Sequence, residues 1–409
     1  MNQPTYQPTD SHIIVTDQYA DEHMSLKVYH FDDFTQNREL QQIRGYVVDQ
    51  NDNNTIVCKT FGYTPEVLAN NHQQLNDEIG PLISGETSFF KAYEGTLLRV
   101  WCYKNKWFLS THRKLDAFKS RWGSSTSYGD LFCAGLSNRV DVNGNTIPTS
   151  FNEFVATLNS DKVYVFLMKS CKINRKVCRG DDKPVIYVVG AFIRSQNFAF
   201  TSSNEETNCS QPERLAFASA DELVDFVLQS DPHEIQGVVL NNPNGSMGKL
   251  VNPMYDHFDK IRGNVPNVLH RYVQLRWKPE CAALKQMYPE HVDKFDEWEA
   301  VMKQVVDNVL RKYFDRYIHH NTAIVPSEQY PLMQQVHQYY IQKLRASHAR
   351  IQPEHVWEIL GGWQERDVNV LYKEFKRRQR MNGDGNYVHE NMVLGITTSM
   401  TNRKIFETF

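Results

Sequence analysis

The segment from Lys91 to Arg99 places an amine, a carboxylate and a guanidinium close together in the chain. An amine acts as a nucleophile when neighbouring groups activate it. The residues after Gly95 are rich in β-branched and aromatic types and predict a strand, in which side chains alternate between the two faces. Lys91 then lies on the opposite face from Ala92 and Glu94, because a slip of one residue reverses a side chain. The spacing therefore separates the amine from the acid.

This segment resembles the nucleotide-attachment motif of ligases and capping enzymes, which reads lysine, any residue, an acid, glycine. In that superfamily the lysine attacks the α-phosphate of ATP and forms a lysyl-nucleotide. Glu94 and Gly95 fit the motif, but the position of the lysine holds Ala92, and Lys91 lies one residue too early. The resemblance implies catalytic and nucleotide-binding roles for Glu94 and nucleotide contacts for Gly95 and Arg99. It implies catalysis by Lys91 only if a β-bulge turns that side chain into the pocket.

Five motifs in the order found in T-even-phage-type RNA ligases cover roughly residues 40 to 276, and such a set is far more specific than a single match. Besides the attachment motif they are Arg44-Gly45 before a hairpin, Asn174-Arg175-Lys176-Val177, Gln236-Gly237-Val238-Val239 and Lys249 to Tyr255. Residues 107–122 also look like a version of this region found in large DNA viruses and phages. The resemblance implies that Arg44 contacts the ATP phosphates, that Gln236 binds nucleotide, and that Lys249 both binds nucleotide and takes part in catalysis. ATP and Mg²⁺ are the implied cofactors.

The chain departs from the family at the positions that carry charge. The third motif should supply an acid where this sequence has Leu167 or Met168, and the fourth has Gln236 in place of a glutamate. The fifth has Val251 where the family has a second lysine. These groups stabilise charge on the phosphates or bind Mg²⁺, so their loss is costly for catalysis. We therefore predict an RNA-ligase-like pseudoenzyme that binds nucleic acid or nucleotide through the ligase groove.

Two alternatives stay open. A bulge could bring Lys91 into the pocket and make the chain a working ATP-dependent RNA ligase. The chain could also be a viral structural or packaging protein that has reused the fold and binds no nucleotide, with viral proteins as partners. The viral assignment, and with it a location in the cytoplasm or in the virion of a large DNA virus, depends on the resemblance alone.

A group of cations interleaved with aromatic residues follows the predicted strands. Cations next to aromatic rings suit phosphate contacts and base stacking, and they predict binding of RNA or single-stranded nucleic acid. The candidate residues are His112, Arg113, Lys114, Lys119 and Arg121, beside Trp107, Phe118 and Trp122. A surface ridge backed by core aromatics is the alternative reading. Residues 373–380 form a second cationic segment at a helix end, where the helix dipole or a solvated face accounts for part of the charge.

Composition sets the outer limits. The chain has 409 residues with a net charge of −3, 41% hydrophobic and 23% charged residues, which is typical of globular proteins with two or three domains. No apolar run has the ~20 residues that cross a bilayer, and the polar first residues lack the blocks of a signal peptide, so we expect neither membrane insertion nor secretion. The seven cysteines are scattered and lack histidine pairs at matching distances, which favours reduced thiols and no metal site.

Short runs rich in Val, Ile, Tyr and Phe predict strands through the first 275 residues, with turn clusters such as residues 141–145 between them. Helical patterns interrupt them at 64–78 and 220–229, and helices continue after residue 289 to residue 381. We predict an α+β protein with an antiparallel-sheet nucleotidyltransferase core of the ATP-grasp-like ligase type. The core spans residues 1–276, of which 1–24 form a flexible tail, and an all-helical domain spans 277–409.

Overall fold

The computed structural model describes residues 4–137, 150–202, 205–321 and 324–383, so the turn predicted at 141–145 lies outside the described residues. The chain divides into two compact units, Met1–Pro266 and Asn267–Phe409, called unit 1 and unit 2 below. This boundary precedes the predicted one, and the helix Val268–Leu275 belongs to unit 2.

Unit 1 contains three sheets. Its described strands are β1 (Ile13–Ala20), β2 (Ser25–Phe31), β3 (Arg44–Asp49), β4 (Thr55–Cys58), β5 (Glu66–Leu68), β6 (Ser88–Ala92), β7 (Gly95–Tyr103), β8 (Lys106–Ser110), β9 (Lys162–Lys169), β10 (Val185–Ile193), β11 (Ala199–Thr201), β12 (Arg214–Leu215), β13 (Gly237–Asn241) and β14 (Met247–Val251). Sheet 1 has the order β1-β2-β3-β4, sheet 2 the order β11-β10-β9-β7-β8, and sheet 3 the order β12-β6-β13-β14-β5. All pairs are antiparallel except β14 with β5, which is parallel. A mixture of helices and mainly antiparallel sheets is thus what the sequence predicted.

The predicted flexible tail is wrong for most of its length. β1 pairs with β2 from Ile13 opposite Phe31 to Ala20 opposite Ser25, and Thr5 forms a bridge with Thr55. Ile13 is buried in the core of sheet 1. The polar composition of these residues led to the wrong prediction, because an edge strand such as β1 has one exposed face with polar side chains.

Each sheet buries one face in an apolar core, and this determines which side chains lie on its other face. One face of sheet 2 packs on the helices α3 (Tyr128–Ser137) and α4 (Phe151–Ala156), with Leu98, Phe132 and Phe166 in the core. Its opposite face packs partly on sheet 1. Sheet 3 packs Val238 and Leu240 against residues 75–79 and the helix at 220–229. Side-chain alternation then leaves the remaining faces of sheets 2 and 3 to line a cavity.

The short helices of unit 1 are α1 (Arg38–Gln41), α2 (His72–Gln74), α3, α4, α5 (Ala220–Gln229) and α6 (Pro253–Arg262). The helix predicted at 220–229 is confirmed as α5, and Ser219 caps it by accepting from the amide of Glu222. The helix predicted at 64–78 is wrong in its first half, where β5 pairs with β14. The helical part begins later, after Asn71, whose side chain caps it by accepting a hydrogen bond from the amide of Gln74.

The described part of unit 2 consists of helices: α7 (Val268–Leu275), α8 (Glu280–Met287), α9 (Val292–Tyr317), α10 (Tyr330–Tyr339), α11 (Pro353–Gly361) and α12 (Glu365–Gly383). The apolar spacing predicted the long α9, whose buried side includes Phe295, Trp298, Val305 and Val309. Burying each such side chain contributes about 1.5–3 kcal/mol. Among the described residues, no helix combines the length and the apolar character that a bilayer crossing requires.

Candidate functional site

A cavity of about 940 Å³ lies between the inner faces of sheets 2 and 3, beside one end of sheet 1. Leu97 and Leu167 line it from sheet 2, and Phe90 and Val239 line it from sheet 3. Its other lining residues include His30, Arg44, Glu66, Lys91, Ala92, Glu94, His112, Arg113, Gln236 and Lys249. The structure therefore brings most of the motif residues to one place.

The register of β6 decides which residue meets the cavity at the nucleophile position. Ala92 pairs with Gly237, Lys91 with Val238, and Phe90 with Val239. Val238 lies in the core on the far side of sheet 3, so Lys91 shares that side by alternation, and the methyl group of Ala92 lies on the cavity side. The Lys91 ammonium forms a salt bridge of 2.8 Å with Glu213, the residue before β12, although the residue itself lies at the cavity wall.

Glu94 is buried, and its carboxylate is fully engaged by the protein. Oε1 accepts the backbone N–H of Lys176 at 2.5 Å, and Oε2 accepts those of Val177 at 2.7 Å and Cys178 at 3.1 Å. The Tyr255 hydroxyl donates to Oε2 at 3.2 Å. The motif acid therefore anchors the loop at 176–178, and the tyrosine that closes the fifth motif completes the anchor. The sequence contained both residues but gave no sign that they meet.

Gly95 and Arg99 were both predicted to bind nucleotide, but each makes contacts that hold strands of unit 1 together. A Cβ at Gly95 would lie 2.3 Å from the carbonyl oxygen of Met168, so only glycine permits this approach of β7 to β9. Arg99 is completely buried. Its two Nη atoms donate to the carbonyls of Gly45 and Thr111, and this side chain does not line the cavity. Arg99 thus joins sheet 1 to sheet 2, which corrects its predicted role as a nucleotide contact.

Arg44 is the cation of the cavity that the protein leaves least satisfied. Its guanidinium makes one long hydrogen bond of 3.4 Å to the carbonyl of Gly62, and no carboxylate among the described residues lies within 4 Å. Burial lowers the pKa of this half-buried side chain, nearby Arg99 and Arg113 lower it further, and Glu66 opposes them. A cation that is half-buried without a counter-ion loses hydration that nothing replaces, and an anion bound beside it would offset that cost.

Lys249 and Gln236 lie on the cavity wall as the motifs implied. Lys249 pairs with Val239 across the strands, and its ammonium lies 3.3 Å from the carboxylate of Glu66, which is 61% exposed. The backbone of Gln236 bonds to Ala92 and Asn252, and its half-buried amide side chain lines the cavity. Both residues are therefore available to a ligand, although Glu66 competes for the lysine.

Leu167 and Met168, the two candidates for the acid position of the third motif, face opposite sides of β9. Leu167 lines the cavity, whereas Met168 is buried on the opposite face against the helices. Val251 shares the cavity side of β14 with Lys249 by alternation but is buried. Leu167 and Val251 are therefore apolar side chains on the cavity side, at positions where the resemblance implies charged ones.

The cations predicted to form a nucleic-acid groove are mostly neutralised. Arg113 lines the cavity and bonds to Asp33; Lys114 lies 3.7 Å from Asp17; Lys119 lies 3.3 Å from Asp116. Arg121 is exposed and forms no ion pair with the described residues. His112, the fifth candidate, is buried and cannot contact a polynucleotide at the surface. Carboxylates beside these cations offset their positive charge and so weaken a phosphate-binding surface.

Two buried histidines beside Arg44 form a part of the site that reasoning from the sequence did not single out as a pair. The Nδ1 atom of His30 lies 2.6 Å from the carbonyl of Phe31, and Nε2 of His112 lies 3.5 Å from the hydroxyl of Thr60. Burial, then Arg113 and Arg44, lowers the pKa of His30 to about 4. Burial, then Arg44, lowers the pKa of His112 well below its usual value. Both rings are neutral at pH 7.

The carboxylates of the cavity have partners within the described residues. Glu94 binds amides, Glu66 meets Lys249, and Asp259 lies 2.6 Å from the ammonium of Lys176. No group of three or more His, Cys, Asp or Glu residues in the described part of the chain is arranged to hold a metal ion. The groups best placed for a nucleotide are therefore the cations Arg44 and Lys249, for phosphates, and the apolar walls, for a base.

No protein-family model matches the chain. It is 28% identical over 296 residues to the "Immediate-early protein ICP-46 homolog" of Invertebrate iridescent virus 3, a match that covers 71% of this chain and 63% of that protein. It is 26% identical over 318 residues to the protein of the same description from Invertebrate iridescent virus 6, covering 73% and 68%. The chain thus spans slightly less than two thirds of the first of these relatives.

Solved structures with some likeness are ligases. An "Archaeal ATP-dependent RNA ligase" has a TM-score of 0.39 at 11% identity and covers 69% of each chain. A "Putative ATP-dependent DNA ligase from Aquifex aeolicus" has a TM-score of 0.40 at 12% identity and covers 80% of this chain and 77% of its own. Both TM-scores lie below 0.5.

Proposed function

We propose that the cavity of unit 1 binds a nucleotide or a similar phosphate-bearing ligand, and that Lys91 does not become covalently nucleotidylated. The single observation that carries this proposal is the register of β6. It places Ala92 on the cavity side of the sheet, while the Lys91 ammonium forms its salt bridge with Glu213. The protein would then be an RNA-ligase-like pseudoenzyme.

Nucleophilic attack on a phosphate requires an unprotonated amine within about 3–3.5 Å of phosphorus and in line with the leaving group. An ammonium that is paired with a carboxylate is protonated and not nucleophilic. Even a correctly placed amine would need charge stabilisation of the transition state, which is usually the largest catalytic contribution. Leu167 supplies no charge, and Gln236 supplies only an amide.

Ligand binding has separate support. The cavity has the size of ordinary small-molecule sites, about 300–1,000 Å³, and combines apolar walls with few polar groups. Arg44 lacks a carboxylate among the described residues, and Lys249 has only a largely exposed one, so both can bind phosphate oxygens. ATP is the nucleotide to test first. Mg²⁺ would enter with the nucleotide, because the carboxylates of the cavity already have partners.

The viral relatives support placing this chain among the proteins of a large DNA virus, with the cytoplasm or the virion as its location. Those relatives are described as immediate-early proteins, and we transfer no activity from that description. The alternative of a structural or packaging protein without nucleotide remains a distinct outcome of the experiment below.

Equilibrium binding of ATP, followed with a fluorescent analogue, tests the proposal. We expect wild-type protein to bind, and Arg44→Gln to weaken binding about 10- to 100-fold, since a hydrogen bond to a charged group contributes ~1.5–3 kcal/mol. Arg121→Gln is the matched control, because Arg121 is exposed and outside the cavity. Equal affinity of wild type and Arg44→Gln would refute the assigned site. An absence of any binding would favour the structural or packaging alternative.

A further inference from the structure

Unit 2 contains a second concentration of positive charge that the cavity does not explain. Arg311, Lys312 and Arg316 lie near the end of α9, and Arg378 lies on α12. Arg378 and Arg311 are the charged neighbours that act most strongly on Lys312. We call these four residues the α9–α12 cluster.

The carboxylates near the cluster balance only part of its charge. Glu328, whose side chain is 7% exposed, binds Nη2 of Arg378 at 2.6 Å. Lys312 has no carboxylate within 4 Å in the described part of the chain, and neither Asp307 nor Asp315 of α9 forms an ion pair there. Oε1 of Glu328 accepts no hydrogen bond, so the ammonium of Lys312 could bind to it. One carboxylate would then still be shared by several cations.

The pKa of Lys312 agrees with an excess of positive charge around it. Burial, then Arg378 and Arg311, lowers the pKa of Lys312 to about 8, against the opposite effect of Glu328. The Nε atom of Arg378 is buried without an acceptor. By contrast, three of the cations that follow β8 in unit 1 each have an aspartate within 4 Å. Of the four cations of the α9–α12 cluster, only Arg378 has a carboxylate within 4 Å in the described part of the chain.

The helix dipole accounts for only part of this pattern. The dipole favours cations in the last turn of a helix and decays beyond it. Arg316 lies in the last turn of α9, which ends at Tyr317, but Arg311 and Lys312 lie more than one turn earlier. Their position needs another explanation, and an anionic ligand supplies one.

Aromatic rings next to the cluster indicate the kind of anion. The Arg316 guanidinium lies 5.9 Å from the ring centres of both Tyr317 and Tyr330. Arginine binds phosphates through a planar fork and stacks on rings, and surfaces for single-stranded nucleic acid combine cations with aromatic residues. We propose that the α9–α12 cluster, with Tyr317 and Tyr330, binds the phosphate backbone of single-stranded RNA. This surface lies in a different unit from the cavity and does not depend on the function proposed for it.

The test uses the full chain and a fluorescent single-stranded RNA, with affinity measured over a range of salt concentrations. We compare wild type with Arg311→Gln/Arg316→Gln, both exposed, and leave Arg378 intact because it binds Glu328. Each lost phosphate contact reduces the slope of log K against log salt by about 0.7 for single strands, so we expect a reduction of about 1.4 and an affinity loss on the order of tenfold at low salt.

The matched control is Arg345→Gln/Arg350→Gln, which removes two exposed arginines of the same unit outside the cluster. An unchanged salt slope in Arg311→Gln/Arg316→Gln, or an equal loss in the control pair, overturns the proposal. Competition by poly-glutamate as effective as that by RNA also overturns it, in favour of an acidic protein partner. ATP binding should be unchanged in both variants, so failure here is distinguishable from failure of the cavity proposal.

Discussion

Replacing Glu94 by alanine should destabilise unit 1 strongly, whether or not the chain binds a nucleotide. The Glu94 carboxylate accepts three backbone N–H groups, from Lys176, Val177 and Cys178, and the hydroxyl of Tyr255. The backbone carbonyl of Glu94 accepts a further hydrogen bond from the N–H of Ser170 at 2.8 Å. Without the side chain, the loop at 176–178 loses its acceptor.

The magnitude follows from these contacts. A buried donor without a partner costs about 1–3 kcal/mol, although a cavity that admits water reduces this cost. Removing one partner of a buried charged network typically costs about 3–5 kcal/mol, and we expect this range for Glu94→Ala. In a unit of this size it corresponds to a fall in Tm of about 6–20 °C. Glu94→Gln keeps one carbonyl acceptor and should lose roughly half as much.

Thermal unfolding followed by circular dichroism measures this effect. Glu66→Ala is the matched control: it removes a glutamate that also lines the cavity but is exposed and has one hydrogen bond of 3.3 Å, so its effect should stay within about 0.5 kcal/mol. If Glu94→Ala kept the wild-type Tm and lost ATP binding instead, the acid would be a ligand group, as the ligase resemblance implied, and the structural role would be refuted.

Three further results are expected. The free energy of unfolding should fall as pH falls from about 6.5 to 4. The pKa of buried His30 is about 4 in the folded chain and near 6.5 in the unfolded chain, so the unfolded chain takes up the proton first. Urea titrations at several pH values should show a flatter dependence of this free energy on pH in His30→Gln than in wild type. Charge reversal at Arg113 and Arg121 should weaken RNA binding across sequences, but less than loss of the α9–α12 cluster does in filter-binding assays, because Asp33 already neutralises Arg113. Ala92→Lys should give no nucleotide adduct on denaturing gels, because Leu167 supplies no charge opposite the new amine.

The sequence predicted most strands of unit 1 and the long helix α9, because both depend on a local apolar period. The predicted alternation at Lys91 and Ala92 also agrees with the register of β6, whereas Glu94 lies after the end of that strand. What the sequence could not predict depends on contacts between distant segments. Glu94 meets an amide loop 82 to 84 residues away, and Arg113 meets Asp33, 80 residues away. A motif shows which side chains are present, but not which of them the fold has already paired.

The strand β5 shows a related limit. Residues 64–78 contain enough polar residues at helical spacing to predict one helix, yet Glu66–Leu68 pairs with β14 instead. Val67 is buried in the core of sheet 3, and that tertiary contact outweighs a weak local preference.

The covalent state of Lys91 after exposure to ATP tests the central claim most directly. Purified protein is incubated with α-labelled ATP and Mg²⁺ or Mn²⁺, then analysed on a denaturing gel and by intact mass spectrometry. The register of β6 and the salt bridge with Glu213 predict reversible ATP binding without any adduct. An acid-labile AMP adduct that disappears in Lys91→Ala would contradict this account and identify a working ligase.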